Sequence, residues 1–265
     1  MRFCRFEFNG GQEYGLIESV AGSDTITHLF LNAPCQSDDS KSIPTRSITP
    51  IPFDQARILA PVHPTKIVCV GRNYRGHASE LGNELPQEPL LFLKPPSSLL
   101  GPGETILRPR ISQRTDYEGE LGIVIGKRCH KLAPDEDVRP YILGYTVVND
   151  FTARDLQKKD PQWTRGKGYD TFCPVGPLVT DEIDPWKGVT VETRVNGEVR
   201  QHGNTRDFIF PIDVIIRYAA EFMTLMPGDL IPTGTPEGVS PVVAGDVIEV
   251  SVDGIATLRN PVADE

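Results

Sequence analysis

Two glutamates separated by a single glycine, Glu118 and Glu120 in the stretch TDYEGELGIVIG, stand at the head of an apolar, β-branched run. Alternate residues of a strand face the same way, so both carboxylates are expected on one face, close together. Burying two like charges side by side costs on the order of several kcal/mol unless positive charge lies between them. A third carboxylate, Asp150, terminates the apolar run Tyr145–Val148 in YTVVNDFTARDLQ, and strand ends are common places for ligands. Arg154 and Gln157, three apart on the helix predicted over 152–158, share a face and can look back toward the same pocket. Lys167 sits between two glycines in RGKGYDTFCPVGP, a segment expected to be irregular and free to aim one ammonium. His77 and Glu80 in VGRNYRGHASELG become i, i+3 neighbours if that segment is helical.

Each feature alone has an ordinary structural explanation: a solvated strand rim, a turn and helix cap, a surface-loop lysine, an exposed pair. Together they make a charge argument. Three facing carboxylates are hard to hold unless a divalent cation lies among them, and an all-oxygen donor set selects Mg²⁺, Mn²⁺ or Ca²⁺ over zinc. Such an ion would leave one negative charge, which Lys167 would neutralise. Partial burial near the ion is expected to lower the pKa of Lys167.

The elements that must position these residues are mainly strands. The pattern predicts strands over residues 3–8, 13–19 and 26–31, with a turn at Asn9-Gly10-Gly11. Others are predicted over 67–70, 90–93, 121–125, 142–148, 189–195, 198–201, 229–232 and 247–252. Hairpin turns are expected at Asn196-Gly197 and Asp253-Gly254. Residues 211–223 read as an amphipathic helix with Ile212, Ile215, Ile216, Ala219, Phe222 and Met223 on one stripe. The helix over 152–158 is given Thr152 as its N-cap. From Asn32 to about Pro50 the chain turns polar and rich in Pro and Ser, which predicts a linker. The expected organisation is a small N-terminal β domain with linker, residues 1–56, followed by a catalytic domain over 57–265. The class is α+β and mostly β, without alternating βαβ units.

A formal charge of −9 argues against nucleic acid or an anionic membrane as partner. No apolar stretch has the length of a membrane span, and the opening MRFCRFEFNGGQEYG shows no signal-peptide h-region. Five scattered cysteines without a CxxC pair fit reduced thiols in a cytoplasmic setting, with Cys69 as a small core residue. No GxGxxG follows a strand and no GxxxxGK[ST] loop occurs, so nothing points to a nucleotide.

Five blocks, GRNYRGHASELG…LFLKP, YEGELGIVIG, VVNDFTARDLQ, RGKGYDTFCPVGP and DLIPTGTPEGV, resemble the fumarylacetoacetate hydrolase family over roughly residues 60–262. The resemblance implies a mixed β-sandwich roll, a homodimer, and a 2-oxo or 1,3-diketo acid as the small-molecule substrate. It places the metal ligands on Glu118, Glu120 and Asp150, binding Mg²⁺ or Mn²⁺, and the active-site lysine on Lys167. It matches Arg154, Gln157 and Thr235 to substrate contacts, with Thr235 on a loop meeting the substrate's carboxylate end. It matches His77 and Glu80 to a dyad on a lid, and leaves the role of Lys94 open. The implied reaction is hydrolytic C–C cleavage of an acylpyruvate, with decarboxylation or keto–enol tautomerisation of oxaloacetate as alternatives on the same site. A non-catalytic metal-binding protein would need only the carboxylates, and the retained lysine and HxxE pair argue against it.

Overall fold

The computed structural model describes residues 1–36, 43–80 and 85–265. Strands dominate, and one mixed sheet runs through the molecule. In spatial order its strands are Thr45–Pro52, Ser23–Phe30, Gly11–Val20, Arg2–Phe8, Cys173–Thr180, Ile142–Asn149, Gly119–Ile125, Leu230–Pro232, Ile67–Gly71 and Leu90–Lys94. A second sheet orders Glu198–Asn204, Thr190–Val195, Val247–Val252, Thr257–Asp264 and Ile106–Arg108. The two sheets pack face to face, with Gly119–Ile125 lying on both Thr190–Val195 and Val247–Val252. A short third sheet joins Thr152–Ala153, Thr115–Asp116 and Pro241–Val242. The fold is mostly β, as the short strands and frequent turns imply.

Every residue of Gly119–Ile125 is buried. A strand covered on both faces needs an unbroken apolar run rather than alternation, and the five residues after Glu120, LGIVI, form such a run. Hairpin chemistry also matches the sequence at Asn196-Gly197, where φ is 52° and 83°, the left-handed pair that a two-residue turn between twisted strands requires. Helix α4, Ile212–Phe222, buries Ile212, Ile215, Ile216, Ala219 and Ala220. Phe222, placed on the apolar stripe by spacing, is instead 59% exposed.

Other expectations need correction. The segment expected to be a linker contains a strand, Thr45–Pro52, paired with Ser23–Phe30; positions 37–42 of that segment lie outside the described residues. The N-terminal strands continue into the main sheet, since Arg2 and Phe3 pair with Thr180 and Val179. Thr152 is not a helix cap. It lies in a short strand, its hydroxyl donates to Asp150 O at 2.8 Å, and helix α2 spans Arg154–Lys159. Lys167 is not on an irregular loop but ends a short helix, α3, Thr164–Lys167. Among the described residues no helix is long and apolar enough to cross a membrane, and all five cysteines are free and buried.

Candidate active site

Register in the main sheet brings the three carboxylates together. Gly119 pairs with Asn149, so the residues flanking each end of that pair share one edge of the sheet. Asn149 Oδ1 accepts the Glu118 N–H at 2.9 Å, and the Asp150 N–H donates to Glu118 O at 2.8 Å. Glu118, which immediately precedes the strand, thus converges with Glu120 and Asp150. One oxygen from each lies within 4.8 Å of the others, and all three side chains are buried. The intervening glycine answers to the other face. A Cβ at Gly119 would stand 2.1 Å from Thr193 Oγ1 and 2.9 Å from Val250 Cγ1 of the second sheet. Carboxylates to one side and a closely packed sheet to the other fix the Glu-Gly-Glu order.

Part of the compensating charge comes from the protein itself. Lys167 Nζ donates to Glu118 Oε2 at 2.7 Å and to Asp150 Oδ2 at 2.6 Å. Lys94 Nζ donates to Asp150 Oδ1 at 2.6 Å and to Phe151 O at 3.2 Å, which places the lysine whose role the sequence left open. Arg154 spreads its guanidinium over Asp116 at 2.9 Å, Glu118 at 2.6 Å and Gln157 at 2.7 Å. Asp116 is fully buried and is also held by Arg114.

Glu120 is the exception. Its Oε2 accepts the Gly234 N–H at 2.7 Å, but among the described residues no lysine, arginine or histidine pairs with it. Burial pushes its pKa well above the usual carboxylate range, and the neighbouring Asp150 and Glu118 push it further. Glu118 goes the other way. Burial would raise it, but Lys167 and Arg154 outweigh that and hold it well below the usual value. At Lys167 burial works to lower the pKa, yet Asp150 and Glu118 prevail and raise it. In the protein alone, the two carboxylate partners thus outweigh burial at Lys167.

His77 is carried on helix α1, Arg75–Glu80, and is buried. Its Nδ1 lies 3.4 Å from Glu80 Oε2, and Glu80 accepts the Gly238 N–H at 3.1 Å. Burial lowers the His77 pKa, Arg154 lowers it further, and Glu118 and Glu80 oppose. The imidazole is thus set to be neutral near pH 7 and able to accept a proton. Thr235 lies on the adjoining loop. Its hydroxyl donates to Gly119 O at 2.9 Å and accepts from Gln201 Nε2 at 2.8 Å, so its side chain is engaged within the protein.

A cavity of about 230 Å³ is lined by His77, Glu118, Glu120, Asp150, Arg154, Gln157, Lys167 and Thr235 together. Glu80 stands behind His77 rather than on the wall. The wall also contains residues that the sequence did not single out, namely Arg72, Phe92, Lys158 and Trp163. Trp163 and Phe92 meet edge to face at 5.2 Å. The tryptophan stands four residues before Lys167 in the stretch QWTRGKG, which was the available signal. Asp116 had no comparable signal, because its partners are set by tertiary contacts.

The profile of the fumarylacetoacetate hydrolase C-terminal family matches residues 66–263. The chain belongs to the fumarylacetoacetate hydrolase family. Among its relatives within and around this family is 2,4-didehydro-3-deoxy-L-rhamnonate hydrolase of Sphingomonas sp. strain SKA58, 38% identical across all of this chain and 96% of that protein. Oxaloacetate tautomerase YisK of Bacillus subtilis strain 168 is 42% identical over 79% of this chain and 74% of its own length. The crystal structure of 5-carboxymethyl-2-hydroxymuconate delta-isomerase from Mycobacterium smegmatis superposes with a TM-score of 0.89 at 37% identity, covering both chains fully. The family's named members are thus enzymes of hydrolase, tautomerase and isomerase type, and this chain has their fold.

Proposed function

We propose that this family member is a divalent-metal-dependent enzyme of 2-oxo and 1,3-diketo acids, and that its principal reaction is hydrolytic C–C cleavage of an acylpyruvate. The observation that carries this reading is the pairing, in one cavity, of a buried three-carboxylate cluster with a neutral, carboxylate-backed histidine.

The donor set fits a hard cation. Glu118, Glu120 and Asp150 offer only oxygens, and Glu120 is a buried carboxylate with carboxylates as its nearest charges. These three residues would hold Mg²⁺ or Mn²⁺. When bound, the ion supplies a Lewis-acidic charge for the carboxylate and 2-keto oxygens of the substrate, favouring an enolate. Arg154 and Gln157 flank the same cavity and orient the substrate's carboxylate end. The Thr235 hydroxyl is occupied by Gly119 and Gln201, so Thr235 meets the substrate through its main chain.

His77 takes a proton from a water that attacks the distal carbonyl, with Glu80 orienting the ring. The C3–C4 bond of the acylpyruvate then breaks, its electron pair forming the enolate of pyruvate, and the acyl carbon keeps the water oxygen as a carboxylic acid. Lys167, held as an ammonium, returns a proton to C3 of the enolate. The step balances when the proton held by His77 restores the Lys167 ammonium and the new carboxylic acid ionises: one water enters, and one carboxylate, one pyruvate and one proton leave. The kinship with oxaloacetate tautomerase supports a second reading, in which only a proton moves between oxygen and C3. Decarboxylation of oxaloacetate would use the same enolate. We further propose a homodimer, in keeping with the resemblance.

The test is restoration. Protein stripped with a chelator and then given Mg²⁺ or Mn²⁺ should regain pyruvate release from acetylpyruvate. Pyruvate release unaffected by stripping would defeat the metal dependence, and none under either condition would defeat the hydrolytic reading.

A further inference from the structure

The head of the glutamate strand has an edge without a backbone neighbour. Leu230–Pro232 pairs with this strand only from Gly122 onward. Gly119 lies beyond that ladder, and its N–H and C=O are taken by side chains instead. Gln201 Oε1 accepts the Gly119 N–H at 3.0 Å, and Thr235 Oγ1 donates to Gly119 O at 2.9 Å. Gln201 belongs to Glu198–Asn204 of the second sheet and is 1% exposed. Its amide nitrogen donates to Thr235 Oγ1 at 2.8 Å and to Pro236 O at 2.8 Å. One buried amide therefore joins the peptide between the two glutamates to the loop that carries Thr235.

The same loop reaches the histidine. Two residues beyond Pro236, the Gly238 N–H holds Glu80, the partner of His77. Gly238 has φ of +100°, and a Cβ there would stand 2.0 Å from Arg200 O, so this turn is seated directly on the strand that bears Gln201. The chain of contacts runs from Gly119 through Gln201 to Thr235 and Pro236, then from Gly238 to Glu80 and His77. The links through Gln201 and Thr235 are buried and satisfied, and satisfied buried networks rigidify what they join.

We propose that Gln201 is a positioning residue that sets the His77–Glu80 dyad relative to the carboxylate cluster by clamping the 235–238 loop to Gly119. It touches neither substrate nor ion and acts through the loop. As a role in catalysis the proposal rests on the hydrolytic reading above, but its structural half does not. Gln201→Met keeps the size and removes both sets of hydrogen bonds. Gln201→Glu keeps an acceptor for the Gly119 N–H and loses both donors to the loop.

Two readouts separate a positioning role from a merely structural one. Hydrogen exchange on the intact protein should speed up for peptides covering 233–239 and 75–80 in both variants, with little change in the second sheet outside residue 201. In metal-restored enzyme, cleavage of acetylpyruvate should fall about ten- to a hundredfold in kcat, while oxaloacetate enol–keto conversion stays within about threefold. Wild-type exchange in both segments would overturn the proposal, as would an equal loss of both activities in a variant of unchanged Tm. If the unaltered protein cleaves no acylpyruvate, the functional reading fails, and the exchange experiment still decides whether Gln201 clamps the loop.

Discussion

The two walls of the cavity are built in different ways. The carboxylate wall rises from central strands, is buried throughout, and is tied by Lys94, Lys167 and Arg154 at 2.6–2.7 Å. The dyad wall is a short helix whose His77 and Glu80 meet at 3.4 Å and whose Glu80 is 34% exposed in its side chain. Among the described residues, the Gly238 N–H ties its Glu80 to the loop that carries Thr235. The difference implies a division of labour. On the proposed mechanism the electrostatic half, which would favour an enolate, is built into the core of the fold. On the same mechanism the half that moves protons stands on this helix, outside the sheet that carries the carboxylates. A family whose named members include hydrolases, tautomerases and isomerases fits that arrangement.

The largest expected effect comes from the core wall. Asp150→Ala should abolish metal-dependent turnover and also destabilise the protein by about 3–5 kcal/mol, because two buried ammoniums lose a partner. Urea unfolding beside kinetics would check this, and an unchanged midpoint would show that Lys94 and Lys167 do not depend on Asp150. Next comes His77→Ala, which should lower acylpyruvate cleavage by roughly 10²–10⁴ with no loss of stability comparable to Asp150→Ala.

Glu120 offers a subtler contrast with Asp150. Its folded pKa lies above the usual 4.5, so the folded protein favours the protonated form. That contribution to stability is complete below pH 4.5 and is lost as pH rises toward the folded pKa. In chelator-treated protein, Glu120→Gln should therefore raise Tm relative to the parent, and the gap should widen as pH rises above 4.5. Binding of Mn²⁺ to the parent should release a proton, measurable as a buffer-dependent heat. A gap that narrowed with rising pH would reverse the assigned direction. The smallest effect belongs to Glu80→Gln. Glu80 raises the His77 pKa against burial, so its loss should move the acid limb of the cleavage pH profile to lower pH, with kcat reduced about tenfold.

Much of the carboxylate wall was legible in the sequence, because Glu118, Glu120 and Asp150 violate what an apolar strand or its end would otherwise contain. The fold class was legible from strand length and from turns such as Asn196-Gly197. What the sequence concealed was of two kinds. The strand Cys173–Thr180 lies between Arg2–Phe8 and Ile142–Asn149 in the main sheet, yet its Pro174, Gly176 and Pro177 fall in the stretch RGKGYDTFCPVGP, expected to be irregular. The supporting polar residues depend on partners far away in the chain. Gln201 meets Gly119 across 82 positions, and Lys94 meets Asp150 across 56. No local pattern announces such contacts.

The division between the walls is tested most directly by one comparison. His77→Ala and the parent protein, each restored with Mg²⁺, would be assayed on acetylpyruvate for pyruvate release and on oxaloacetate for loss of enol absorbance. The account predicts that the variant loses cleavage by at least about a hundredfold and keeps enol–keto conversion within a few-fold of the parent. Equal loss of both activities, or cleavage that survives without His77, would contradict it.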